Sequence, residues 1–216
     1  MHTYTEENYL KSIYHLLEQN EQASTNDIAA SLKTRAASVT DMLKKLAEKK
    51  LINYARYQGV SLTPAGQKVA LGIIRKHRLW EHFLVDKLKF KWDEVHDMAE
   101  ELEHISSVEL INRLEQFMDY PQFDPHGDPI PNSNGEIKAQ LLQPALALTQ
   151  HQTGVIAAVS DHSASFLQYL EKIQLTIGKE IKVTEITDYD LCLEVTTDNK
   201  VLNISREVAK NLLIAL

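Results

Sequence analysis

Between Lys91 and Ser106 the chain reads KWDEVHDMAEELEHIS, which sets two histidines among six carboxylates. On a helix turning by about 100° per residue, His96, Glu100, Glu103 and His104 fall at roughly 0°, 40°, −20° and 80°. Four ligand-type side chains therefore share one side, while Asp93, Asp97 and Glu101 lie elsewhere and read as solvated charge. Upstream, His77 and Glu81 are spaced one helical turn apart and add a second His/Glu pair. Two readings are open: an acidic helix face with incidental histidines, or a cation site. An unneutralised Glu/Glu/His cluster beside a second pair would repel itself and resist burial, a cost that a divalent cation removes. The single cysteine, Cys192, cannot build a thiolate cage. Imidazole and carboxylate donors suit Mn(II) or Fe(II) best, with Zn(II), Co(II) and Ni(II) also admitted.

Helical periodicity runs ahead of this stretch. Thr5 can cap a first helix with Leu10, Ile13, Tyr14 and Leu17 on one stripe, ending at Asn20. A second helix starts at Ser24 or Thr25 and turns Ile28, Ala29 and Leu32 inward. After the turn KTRAA, a third carries Val39, Leu43 and Leu46. LINYARYQGVSLT alternates around Gln58-Gly59 as a hairpin, and Thr63-Pro64 open a long helix reaching about Leu88. The acidic helix then spans Trp92 to about Ile105. Three helices and a hairpin make a winged helix-turn-helix, whose third helix enters the major groove. Arg35, Ala37, Ser38, Thr40, Asp41 and Lys44 are then placed toward DNA, with Arg56 and Tyr57 on the wing.

Charge supports the division. Net charge is −7, yet residues 1–78 hold 12 Lys and Arg against 7 Asp and Glu. A basic segment that can face phosphate precedes an acidic remainder that can face cations. The segment YPQFDPHGDPIPNSNGE, residues 120–136, holds four of the six prolines and reads as a boundary loop, with His126 on its surface. Beyond it come two short strands about Thr153-Gly154, a helix at 163–173, and a meander of EIKVTEI, LCLEVTT and KVLNIS with Cys192 turned into the core. A small β-barrel with one helix fits this pattern. No apolar run approaches the roughly 20 residues of a membrane span, and the N-terminus lacks signal-peptide order. A cytoplasmic protein without membrane partners is expected.

YLKSIY (9–14), RKHRLWEHFL (75–84), VHDMAEELEH (95–104) and HGDPIP (126–131) together resemble the DtxR/MntR family of metal-dependent transcriptional repressors. The resemblance implies a mainly α chain with small β parts. Its expected parts are a winged helix-turn-helix (1–73), a helical dimerisation and metal-binding domain (74–140) and a C-terminal SH3-like, FeoA-like β-barrel (141–216). It also implies a homodimer on palindromic double-stranded DNA with Mn(II) as co-repressor; the alternative is Fe(II). By matching positions, His77, Glu81 and His96 form an ancillary site, and Glu100, Glu103 and His104 a primary site completed by Asn8. Glu100 stands where iron-type members carry cysteine, which favours Mn(II). Asn8 and Lys11 stand where manganese-type members carry acids, which favours two separate sites. Asp161 and His162 match the region from which the C-terminal domain can donate a ligand.

An enzyme is the remote alternative. Glu101-x-x-His104 imitates one half of a di-iron bundle motif, but the second half and the further glutamates are missing. No HExxH, Walker loop, nucleophile elbow or dinucleotide glycine pattern is present either. A non-enzymatic DNA-binding regulator is the expectation.

Overall fold

The computed structural model describes residues 2–20, 22–55, 59–138 and 140–216, and at Gln19 the backbone alone. Arg56 and Tyr57 of the expected wing contact lie outside the described residues. The chain forms two units, one of residues 1–77, 100–112 and 131–137, the other of 78–99, 113–130 and 138–216.

In the first unit, α1 (Tyr4–Gln19) is capped by Thr3 rather than Thr5. The Thr3 hydroxyl accepts the Glu6 amide at 3.3 Å, and the Glu6 carboxylate accepts the Thr3 amide at 3.2 Å. This reciprocal box satisfies two otherwise orphaned donors. Ser24 and Asp27 repeat the device at α2 (Thr25–Ser31). The third helix, α3 (Ala36–Glu48), buries Val39, Leu43 and Leu46 against Leu10, Ile13 and Ile28. Its spacing leaves Arg35, Ala37, Ser38, Asp41 and Lys44 exposed. The strands β1 (Ile52–Tyr54) and β2 (Val60–Leu62) pair antiparallel as the wing. Thr63 Oγ1 accepts the Gly66 amide at 3.1 Å and opens α4 (Pro64–Asp86).

The acidic helix is shorter than its periodicity suggests. The helix α5 covers His96–Leu102, preceded by turns from Trp92. A further helix that the sequence reading passes over, α6 (Val108–Phe117), starts where Ser107 Oγ accepts the Leu110 amide at 3.2 Å. It leaves Val108, Leu110 and Phe117 exposed.

In the second unit, six antiparallel strands lie in the order β3-β8-β4-β5-β6-β7. They are β3 (Gln143–Pro144), β4 (Thr153–Val159), β5 (Glu180–Ile186), β6 (Leu193–Thr197), β7 (Lys200–Ile204) and β8 (Leu212–Ala215). The sheet is open rather than a closed barrel. The meander β5-β6-β7 is as read. Thr153-Gly154, by contrast, begins one strand instead of joining two, because Gly154 pairs with Ile181. The last strand β8 pairs with both β3 and β4, and the short helix α8 (Arg206–Asn211) precedes it, capped by Ser205. With α7 (Ala164–Ile173), this sheet closes a core of Ile156, Leu167, Leu170, Val183, Val195 and Ile214. Cys192 precedes β6 and is half-buried instead of entering that core.

Candidate metal centres

Each unit carries a cluster of titratable side chains. In the first unit, Glu103 has no exposed surface. Its Oε2 lies 2.7 Å from His77 Nδ1 and 2.8 Å from Lys11 Nζ. Burial alone would raise this carboxyl, but the His77 hydrogen bond and the Lys11 charge outweigh it and hold Glu103 below its ordinary value. Glu100 is exposed and pairs with Lys11 at 3.3 Å. His104 stacks on Tyr4 and points Nδ1 at the Glu7 carboxylate, 2.7 Å away. A carboxylate accepts only, so Nδ1 carries a proton toward Glu7, and Nε2 faces Glu103 Oε1 at 3.8 Å. Asn8 Oδ1 is buried without a hydrogen-bond partner.

These groups meet because α1 presents Glu7 and Lys11, one turn apart, to the residues around the end of α5, with Asn8 next to Glu7 on the same helix. The same helix holds α3. Glu6, fully buried, takes Lys45 of α3 and Lys49 at its C-cap at 2.8 Å each. Burial opposes its charge, but those two ammonium groups and the Thr3 amide bring its carboxyl down to about 2.

In the second unit, Glu81, Asp124 and His126 are all buried, and each offers a ligand atom within 4.8 Å of the others. His126 Nε2 is 2.8 Å from the Trp92 carbonyl, which only accepts; Nε2 therefore carries a proton, and Nδ1 is the nitrogen that could serve an ion once it is deprotonated. That Nδ1 lies 3.5 Å from Glu81 Oε2 and makes no hydrogen bond. His96 Nδ1 stands 3.4 Å from Glu81 Oε1. His77 precedes Glu81 by one turn of α4. Burial, helped by the charges of Asp128 and Glu81, raises Asp124 to about 7. Burial would lower His126, but Glu81 and Asp124 lift it to about 9.

His126 thus corrects the surface-loop reading: it is 1% exposed. Its loop is laid against β4, where the Val159 amide donates to the His126 carbonyl at 3.0 Å. Arg78 fastens the same loop by donating to Asp128 at 3.1 Å and to the Pro129 carbonyl. Gly127, at φ +87°, would place a Cβ 2.1 Å from the Ala157 carbonyl oxygen. Gly127→Ala should cost about 2 kcal/mol or more through backbone strain and displace Asp124 and His126. Thermal melting and Mn(II) titration of the variant measure both effects; an unchanged melting temperature would refute the close fit.

His162 stacks on His126 at 4.7 Å and faces the Val159 carbonyl at 3.1 Å. Burial lowers its pKa, with the charge of Asp128 opposing. Asp161 accepts the Ser163 amide at 2.8 Å and, among the described residues, is in neither candidate group. Asp124, His126 and Glu7 are the residues that sequence reasoning missed. The oxygen and nitrogen donors, the orphaned Asn8 Oδ1 and the orphaned His126 Nδ1 all fit a hard or borderline divalent cation.

A winged helix-turn-helix joined to two such clusters defines a metal-dependent DNA-binding regulator, and comparisons agree. Residues 1–60 match the iron dependent repressor N-terminal DNA binding domain, 63–132 the iron dependent repressor metal binding and dimerisation domain, and 145–216 the FeoA domain. The iron-dependent repressor IdeR of Mycobacterium leprae is 34% identical over 127 residues, 59% of this chain and 55% of the relative. The chain therefore spans about half the length of that relative. The HTH-type transcriptional regulator MntR of Geobacillus thermodenitrificans is 33% identical over 57% of this chain and 87% of its own. A solved manganese-dependent transcriptional repressor in complex with manganese superposes with a TM-score of 0.87 at 31% identity, covering 97% of this chain and 98% of that one. The chain belongs to the DtxR/MntR family of metal-dependent transcriptional repressors.

Proposed function

We propose that this protein is a Mn(II)-responsive repressor that acts in the cytoplasm as a homodimer on palindromic operators and catalyses no reaction. The observation carrying the metal choice is the sulfur-free donor set, above all the buried Glu81, Asp124 and His126 within 4.8 Å. Hard carboxylate oxygens favour Mn(II), and Fe(II) is the second reading because relatives such as IdeR are named iron-dependent. We assign Asn8, Glu100, Glu103 and His104 to one site, with His77 bonded to it. Glu81, Asp124, His126 and His96 form the other, with His162 stacked on His126 and Asp161 nearby in sequence. A bound divalent cation would supply the positive charge these carboxylates need.

Function follows from what α1 connects. Asn8 lies on the helix whose Glu6 grips α3 through Lys45 and Lys49. Ligation of Asn8 together with Glu103 and His104 would fix α1, and with it the recognition helix, in one orientation. In a dimer, two recognition helices about 34–36 Å apart fit successive major grooves, so the ion acts by population shift without touching DNA. Exposed Val108, Leu110 and Phe117 on α6 supply apolar surface for the dimer.

The test is operator binding by the purified protein with Mn(II), Fe(II), Zn(II) or chelator. Binding should require metal and reverse on chelation; equal affinity of the apo protein would refute the co-repressor role. Arg35→Ala with Ser38→Ala should weaken DNA binding by roughly 10- to 100-fold, from one charged and one neutral contact, and leave Mn(II) binding unchanged. Unaltered DNA affinity would point to a metal-binding protein without this DNA interface.

A further inference from the structure

Lys11 places an ammonium inside the first cluster. Its Nζ lies 2.7 Å from Glu103 Oε1 and 3.3 Å from Glu100 Oε1, with the side chain only 14% exposed. Both carboxylates are assigned above as ligands, and Asn8, three residues earlier on α1, presents a buried oxygen with no hydrogen-bond partner. We propose that Lys11 is a tethered counter-cation that competes with the metal ion for Glu100 and Glu103 and so sets the metal concentration at which the regulator responds.

The geometry makes the two occupants exclusive. Glu103 Oε2 already receives His77 and Lys11, and Oε1 faces Lys11. An ion that takes these oxygens would stand against an ammonium of like charge in a poorly solvated place, where such repulsion is large. Lys11 relieves the clash by swinging its four-carbon stem toward solvent, which long charged side chains readily do. The ammonium also keeps the metal-free carboxylates from repelling one another. Metal affinity is therefore a difference between two cations on the same acids. A neutral side chain at position 11 removes one of them.

This inference rests on the metal-sensing reading, and the experiment separates the two. Mn(II) binding is followed by electron paramagnetic resonance in Asp124→Asn protein, which lacks a ligand of the second site, with and without Lys11→Met. Lys11→Met should tighten the remaining site by roughly 10- to 100-fold, part of the Coulomb penalty of a nearby like charge, and lower by a similar factor the Mn(II) needed for DNA binding. Lys11→Arg, which keeps the charge, should stay within about threefold of the parent. Unchanged or weaker affinity in Lys11→Met overturns the competition while leaving metal sensing intact, and tightening in Lys11→Arg overturns its electrostatic origin. If no variant binds Mn(II) at this site, the metal-sensing reading falls and takes the Lys11 role with it. In the unaltered protein, the Lys11 ammonium nitrogen resonance recorded in chelator should move on saturation with diamagnetic Cd(II). A resonance that stays in place overturns the proposal whether or not the variants fold.

Discussion

Glu103→Gln should abolish metal-dependent DNA binding and also destabilise the metal-free protein. Both effects come from one buried carboxylate. Glu103 has no exposed surface and answers two donors, Lys11 at 2.7 Å and His77 at 2.7 Å. An amide keeps the shape and loses the charge, so Lys11 is left as a largely buried cation whose remaining partner is the exposed Glu100. Removing one partner of a buried ion pair costs about 3 kcal/mol or more. The melting temperature in chelator should fall accordingly. Mn(II) affinity at this site should fall by roughly 100-fold or more, because an anionic ligand is replaced by a neutral one beside an uncompensated ammonium. Glu100→Gln provides the contrast. Its carboxylate is half exposed, so metal affinity should drop while stability in chelator barely moves. A Glu103→Gln protein that melts with the parent and still binds DNA only with Mn(II) would show that this carboxylate is neither buried partner nor ligand.

How much of this was legible depended on whether a signal was local. His96, Glu100, Glu103 and His104 lie around one helix, and His77 and Glu81 on another; helical spacing groups such residues without knowledge of the fold. The pattern of α3 likewise separates Val39, Leu43 and Leu46 from the exposed Arg35 and Ser38. Helix α6 was also readable, with Ser107 as cap and Ile111, Leu114 and Met118 at helical spacing. Its apolar stripe lies between two more conspicuous features. Glu7 carried no signal, since nothing in YTEENYL says that one glutamate will orient His104 from 97 residues away. His126 actively misled. Proline and glycine around it correctly indicate a loop, but composition is silent on where a loop goes, and this one is held on β4 by the Val159 amide and by Arg78. The strand β8 was hidden for a related reason: LLIAL is short and terminal, and its place between β3 and β4 is settled by long-range pairing.

The second site should release protons as it binds metal, and the number released should change with pH. Asp124 is raised to about 7 by burial and by Asp128 and Glu81. His126 is raised to about 9 because Glu81 and Asp124 outweigh its burial. The two shifts share a cause: Glu81 and Asp124 are crowded together beside one imidazole, with Asp128 adding its charge to Asp124. A ligating carboxylate must be ionised and His126 must free Nδ1, since Nε2 is committed to the Trp92 carbonyl. Protons therefore compete with the metal at both groups, and affinity must fall as pH falls. Of these two groups only His126 has a proton to lose between about pH 7 and 9, so the pair should release close to one proton there; below about pH 7 Asp124 adds its own and the pair's contribution approaches two. From pH 8 to pH 6 the affinity should drop by about 100-fold or more. Calorimetry in buffers of different ionisation heats counts these protons directly, in a Glu103→Gln background that silences the first site. Asp124→Asn should remove the lower step and leave a one-proton dependence. Affinity that is flat from pH 6 to 9, with no proton released, would mean that Asp124 and His126 do not ligate the ion.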